Sequence, residues 1–300
     1  MRPVFEWNIG SRSLQLGKRT LIMGVVNVTP DSFSDGGVYL DCDRAVEHAL
    51  RLLDEGADII DVGGESTRPG AAVQIPADAT PASDNQPVSE KEELERVIPV
   101  ITALKQKQPK AVISVDTYKA AVAQAAVEAG AEIVNDVSGF RWDKQMIKTL
   151  AALKCGAVMV HMRGRPEEWR SLPAVSDIVM LVKRELREWV DFAVTKGVKR
   201  ERIALDPGFG FGKSLEQNYP LLKRLDELHG LRYPLLAGVS RKSFIGRALA
   251  RNGKDATIED RLLGTIATET ALILKGTHIL RTHDVRACAD AVRIADIVVS

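Results

Sequence analysis

Short runs of aliphatic and β-branched residues recur along the chain, each followed by a longer stretch in which apolar positions return every three or four residues. Eight such runs stand out: LIMGVVNV (21–28), ADIIDVG (57–63), AVISVD (111–116), EIVNDV (132–137), GAVMVHM (156–162), RIALDP (202–207), YPLLAGV (233–239) and THILRTH (277–283). They read as strands, and the stretches between them as amphipathic helices. In DRAVEHALRLLDEGA, Ala45, Val46, Ala49, Leu50, Leu52 and Leu53 keep the helical period and Gly56 stops it. SEKE from Ser89 has the form of a capping box, and Asp284 stands where it can cap a last helix. Strand and helix alternating eight times predict the α/β class and a single (β/α)8 TIM barrel across residues 1–300. An open dinucleotide-binding sheet is disfavoured, because the first strand does not end in GxGxxG.

Two segments interrupt the alternation. After the first strand, residues 29–41 (loop 1) are mostly turn-formers, and after the second, residues 64–89 (loop 2) run without periodicity. Long aperiodic βα loops in a compact domain are expected to act as lids, and both leave the face where barrel enzymes carry their chemistry. Residues 1–18 read as a β-hairpin that can plug the opposite end.

Composition narrows the picture without redirecting it. A chain of 300 residues fits one barrel with additions, since that fold takes about 250 residues as one domain. With 41 basic against 40 acidic residues, no nucleic-acid footprint or anionic membrane surface is expected. The three cysteines, Cys42, Cys155 and Cys288, are far apart and lack CxxC spacing, which argues against a disulfide framework and a zinc site. The first residues, MRPVFEWNIG, carry no apolar signal-like core, and no run approaches the roughly 18 apolar residues of a membrane span. A cytoplasmic location is expected.

Polar residues gather at the ends of the strand-like runs: Asn27, Asp61 and Glu65, Asp116, Asn135 and Asp136, His161, Asp206, Ser240 to Lys242, Arg281 and His283. In a barrel these ends meet at one mouth. A single Asp at such a place is usually a turn or cap residue, but contributions from nearly every strand point to a shared site. Asp116, Asp206 and Asn135 can pair with a flat heterocycle bearing an amino group and a ring N–H, while Arg68, Lys242, Arg281 and His283 can hold an anion. LDPGFGFGKS does not meet the GxxxxGK[ST] spacing of a P-loop, so nucleotide hydrolysis is disfavoured. Its glycines instead allow a close backbone approach to a ligand, with Phe211 as a stacking wall. His48, His229 and His278 read as packing or surface residues, and His161, beside Met162 and Arg163, as a supporting group.

MGVVNVTPDSFSDGG, DIIDVGGESTRPG, ISVDTYK, IVNDVSG, LDPGFGFGK, AGVSRKSFIG and LRTHDV, in this order, make the chain resemble the dihydropteroate synthase family over essentially its full length. The resemblance implies condensation of 6-hydroxymethyl-7,8-dihydropterin pyrophosphate with p-aminobenzoate. It implies a pterin pocket of Asp116, Asn135, Asp206, Gly238 and Lys242, walled by Met159 and Phe211. It also implies pyrophosphate held by Asn27, Arg68, Arg281 and His283 with a Mg2+ ion on Asn27, and p-aminobenzoate held by Phe33, Thr67, Arg68, Pro69, Ser240 and Lys242. Asp116, Lys242, Arg281 and His283 would carry the catalysis, in a homodimer packed through late barrel helices. The segment AAVQIPADATPASDNQ after ESTRPG is longer than in compact members of that family. A related methyl-transferring barrel would have no pyrophosphate to hold, and the SRK and RTHDV blocks speak against it. A catalytically silent relative would lack Asn27, Asp116 or Lys242, and all three are present.

Overall fold

The computed structural model describes residues 2–28, 37–65, 88–169, 171–173 and 175–299, with the backbone alone at 37–41. The chain opens with an antiparallel hairpin, β1 (Phe5–Asn8) and β2 (Ser13–Leu16), in which Phe5 faces Leu16. Eight parallel strands follow: β3 (Leu21–Asn27), β4 (Ile59–Gly63), β5 (Val112–Asp116), β6 (Ile133–Asp136), β7 (Gly156–Val160), β8 (Ile203–Asp206), β9 (Leu236–Ala237) and β10 (Ile279–Thr282). Each lies inside one of the eight runs picked out by hydrophobicity. Their spatial order is β8-β7-β6-β5-β4-β3-β10-β9. The remaining seam is closed by one parallel bridge, Leu205 to Leu235, and by the Leu205 N–H donating to Pro234 O at 2.9 Å. The sheet is therefore a nearly closed barrel.

Nine α-helices among the described residues connect the strands: α1 (Gly37–Asp54), α2 (Glu90–Lys107), α3 (Ala120–Glu128), α4 (Met146–Leu153), α5 (Ile178–Thr195), α6 (Asn218–Lys223), α7 (Ser243–Ala248), α8 (Leu262–Leu274) and α9 (Val285–Val299). Ser89 caps α2 as its sequence predicts, its Oγ accepting from the Glu92 N–H at 3.2 Å. Loop 1 is shorter than expected, because helix begins at Gly37 rather than after residue 41. The run VYLDCDRAV contains no breaker, and a nucleated helix extends through such residues at little cost. Within loop 2 only Gly64, Glu65, Val88 and Ser89 are described, and they are outside helix and strand.

Side chains alternate across each strand, and the apolar residues divide accordingly into two layers. Ile22, Ile60, Ile113, Val134, Met159 and Leu205 pack outward against the helices. Leu21, Met23, Ile59, Val112, Ile133, Val158, Val160, Ala204, Leu236 and Ile279 fill the barrel interior together with Trp7, Ile9 and Leu16 of the hairpin segment. The hairpin thus plugs the N-terminal end: Trp7 is 1% exposed, and its indole N–H donates to Arg202 O at 2.7 Å. A Cβ on Gly156, the first residue of β7, would lie 2.7 Å from Ile9, so that strand can begin only with glycine while the plug is in place. With one end filled by apolar side chains, the interior positions at the other end are left for polar groups.

Candidate active site

The strand alternation decides which polar residues reach the mouth. Asp61, Asp116, Asn135, Asp206 and Arg281 occupy interior parity on β4, β5, β6, β8 and β10, two or four residues beyond interior hydrophobics such as Ile59, Val112, Ile133, Ala204 and Ile279. Asp61, Asp116, Asn135 and Arg281 form one hydrogen-bonded group, with Asp206 beside it. Arg281 Nε donates to Asp61 Oδ2 at 2.6 Å, its Nη2 donates to Asp116 Oδ2 at 2.7 Å, and Asn135 Nδ2 donates to Asp61 Oδ2 at 3.1 Å. Asp61 is wholly buried, yet its Oδ1 has no partner among the described residues, and the same holds for Asn135 Oδ1. Two buried acceptors in this state suit a ligand that brings N–H donors.

Removal from water pushes the Asp116 carboxyl up to about 7, with Arg281 opposing the shift and Asp61 adding to it. Burial likewise raises the Asp206 carboxyl, against the pull of Lys242. Asp206 also fixes the turn that follows β8, its Oδ1 accepting from the Gly208 N–H at 2.7 Å. Lys242 reaches across from the segment before α7. Its ammonium donates to Phe209 O and lies 4.1 Å from the centre of the Phe211 ring. Burial brings this ammonium down to about 8. Phe211 is backed by Trp169, edge to face at 5.8 Å.

The segments after β9 and β10 complete the mouth. Gly238 lies beside Arg281, and a Cβ there would sit 3.5 Å from Arg281 Cβ. The His283 N–H donates to Ser240 Oγ at 3.2 Å, and its Nδ1 lies 3.0 Å from the same oxygen. Arg241, with φ +58°, turns the chain between Ser240 and Lys242. Its guanidinium grips the Asp284 carboxylate at 2.9 and 2.5 Å, so Asp284 secures the SRK turn from the start of α9. Asn27 ends β3, opposite Gly63.

Three sequence expectations need revision or stand apart. Met159 does not wall the interior: it is fully buried between sheet and helices, and Val160, paired with Asp206, holds the interior position. The cause is parity, since a one-residue step along a strand changes face. Asp136 and Glu65 also turn away from the Arg281 group. Asp136 accepts from the Ser138 and Phe140 N–H groups at 2.7 and 3.1 Å, while Glu65 accepts from Lys119 Nζ at 2.5 Å and from the Tyr118 hydroxyl at 3.1 Å. Phe33, Thr67, Arg68 and Pro69 lie outside the described residues. In the other direction, Asp61 stood among the strand-end residues without a role and proves to join Arg281 to Asn135; its signal was the interior parity of DIIDVG.

Comparison with known proteins agrees with this geometry. The family model described as pterin binding enzyme matches residues 23–283. A dihydropteroate synthase of Clostridium beijerinckii is 44% identical over 97% of this chain and 98% of its own. The solved Xanthomonas albilineans dihydropteroate synthase with 4-aminobenzoic acid superposes with a TM-score of 0.85 at 40% identity, covering 100% of this chain and 99% of that one. The Clostridium difficile enzyme, solved in the presence of pteroic acid, gives 0.83 at 44% identity over 94% of this chain and 98% of its own. With the family model spanning the barrel from β3 to His283 and such relatives covering nearly the whole chain, the chain belongs to the dihydropteroate synthase family of pterin-binding enzymes.

Proposed function

We infer that this protein joins p-aminobenzoate to the methylene carbon of 6-hydroxymethyl-7,8-dihydropterin pyrophosphate, giving 7,8-dihydropteroate and pyrophosphate in folate biosynthesis. The observation that carries this reading is the meeting of Asp61, Asp116, Asn135, Asp206, Lys242 and Arg281 at one mouth, with buried acceptors left over for a heterocycle's amino and ring N–H groups.

The chemistry follows from charge. When the C–O bond to pyrophosphate breaks, its electron pair leaves with the anion and positive charge spreads over the pterin. The carboxylates of Asp116, partly exposed at the mouth, and of buried Asp206 stabilise that cation as it forms. Arg281, His283, Asn27 and Arg68 hold the departing anion; Nε and one Nη2 hydrogen of Arg281 serve Asp61 and Asp116, which leaves the rest of its five N–H donors for this task. The aniline nitrogen of p-aminobenzoate, placed by Ser240 and Lys242 with Phe33, Thr67, Arg68 and Pro69, then forms the C–N bond and gives up a proton. A weakly basic amine attacking a cation needs positioning more than a strong base.

A Mg2+ ion carried by the pyrophosphate fits the residues present. Asn27 offers an amide oxygen, no group of three His, Cys, Asp or Glu side chains among the described residues makes a complete cage, and Mg2+ commonly keeps phosphate oxygens and water as its other ligands. When bound, the ion offsets the negative charge that develops on the leaving group. The homodimer is proposed from Leu263 on α8 and Ile294 and Val298 on α9, which are 82%, 68% and 69% exposed. Three free thiols suit the reducing cytoplasm.

The test is pyrophosphate release with Mg2+, with and without p-aminobenzoate. Release should depend on p-aminobenzoate, yield dihydropteroate, and fall about 100-fold or more in Asp116→Asn and Lys242→Ala. Pterin binding without turnover would replace this reading with a silent pterin-binding protein.

A further inference from the structure

Behind the mouth lies a buried polar chain that the reaction as described does not use. Lys213, 7% exposed, ends the LDPGFGFGK segment, and its ammonium is surrounded by acceptors: Gly208 O at 2.7 Å, Phe211 O at 3.1 Å, His161 O at 3.2 Å and His161 Nδ1 at 3.0 Å. His161 is wholly buried and stacks on Trp189 with ring centres 5.0 Å apart. Its other nitrogen, Nε2, lies 2.9 Å from Glu185 Oε2 on α5. With Nδ1 accepting from an ammonium, the imidazole is neutral and carries its proton on Nε2, donating it to Glu185. Burial, reinforced by Lys213, holds the His161 pKa well below its ordinary value, in keeping with a neutral ring.

The turn that Lys213 grips is rich in glycine and is also held from its edges, by Asp206 at the Gly208 N–H and by Asn218 Oδ1, which accepts from the Gly210 N–H at 2.7 Å. Gly208, Gly210 and Gly212 adopt φ of +67°, +78° and +64°. The turn is laid directly on the end of β7: a Cβ on Gly208 would be 1.8 Å from His161 O, and one on Gly212 would be 2.1 Å from Arg163 O. Phe211 rides on this turn, its N–H donating to Gly208 O at 3.1 Å. Lys242 takes Phe209 O from the ligand side, so two ammonium groups pin the same turn, one within the site and one behind it.

We propose that Lys213 is a positioning residue for the pterin substrate: linked through His161 to Glu185, it fixes the glycine turn and so sets the place of the Phe211 wall. Burial and the neighbouring Lys242 hold the Lys213 pKa well below its ordinary value, while Asp206 and, more weakly, Glu185 across the imidazole favour its charged form, and no atom of this polar chain need touch substrate. Removing it loosens a turn of three glycines, and pterin affinity falls much more than p-aminobenzoate affinity, because Phe211 rides on the turn whereas p-aminobenzoate meets it only through Lys242, which bonds Phe209 O. The proposal rests on the assignment of Phe211 to the pterin pocket.

The experiment measures Kd for the dihydropterin pyrophosphate, KM for p-aminobenzoate and thermal midpoint in Phe211→Ala, Lys213→Met, their double variant and Glu185→Gln. Phe211→Ala alone should weaken pterin binding about tenfold; an unchanged Kd there removes the Phe211 assignment, and the proposal with it. Lys213→Met should weaken pterin binding about tenfold with KM for p-aminobenzoate within about twofold, and the double variant should be no weaker than about the worse single. Glu185→Gln, at the half-exposed end of the chain, should give about a threefold loss in the same direction. Additive single effects, a parallel loss for both substrates, or a native pterin Kd in Lys213→Met would overturn the proposal. Should Lys213→Met fail to fold, Glu185→Gln decides alone, an unchanged pterin Kd counting against it.

Discussion

If Asp116 and Lys242 act as proposed, they should set opposite ends of the working range. A carboxylate serves when ionised, above its pKa, and an ammonium serves when charged, below its own. Burial pushes Asp116 up to about 7 and Lys242 down to about 8. In the free enzyme, kcat/KM for the pterin substrate should therefore rise with pH through about 7 and fall again above about 8, a narrow bell measurable by initial rates. Lys242→Arg, charged at any accessible pH, should extend the alkaline side whatever it costs in rate. A flat profile between about pH 6 and about pH 10 would show that neither group's proton governs substrate capture. The residue types at these positions were legible in the sequence because Asp116 ends an aliphatic run and Lys242 follows one by three residues. Their wiring was not: Arg281 reads as an anion holder until the barrel brings it to Asp61 and Asp116, positions 220 and 165 residues away.

At the scale of elements, short continuous aliphatic runs and period-3.6 stretches placed all eight barrel strands and most helices, since strands buried on both faces must be apolar throughout. Met159 shows where the pattern runs out. In GAVMVHM every residue is apolar up to His161, so hydrophobicity carries no parity, and only the ladder to β6 and β8 decides that Val160 faces inward. The N-terminal hairpin was legible as an element, and its burial gives it a measurable consequence. Trp7→Ala removes the largest side chain of the plug and should lower unfolding free energy by about 3–5 kcal/mol in urea titration. The rate at 25 °C with both substrates should stay within about twofold, because the plug and the mouth lie at opposite ends of the barrel. A stable but inactive variant would instead tie the plug to catalysis.

For the whole molecule, the most exposed large apolar side chains among the described residues, Leu263, Ile294, Ile297 and Val298, lie on the last two helices. Leu263 and Ile294 should be covered in the dimer, so the wild-type chain should sediment as a dimer, and Leu263→Asp with Ile294→Asp should shift it to monomer with each subunit's site intact. A wild-type monomer at micromolar concentration would remove that reading. The sequence by itself determined the barrel, the end at which its chemistry lies and the family, because alternation, strand length and ordered motifs are local properties of the chain. Tertiary structure decided what depends on closure. It chose the inward residue of β7, joined Asp61, Arg281 and Asp116 into one group, and laid the glycine turn of Gly208 and Gly212 on the backbone of His161 and Arg163 with Lys213 beneath it. These are contacts between strands and turns distant in sequence, and no local pattern encodes which face of a strand, or which carbonyl of a turn, will meet a given side chain.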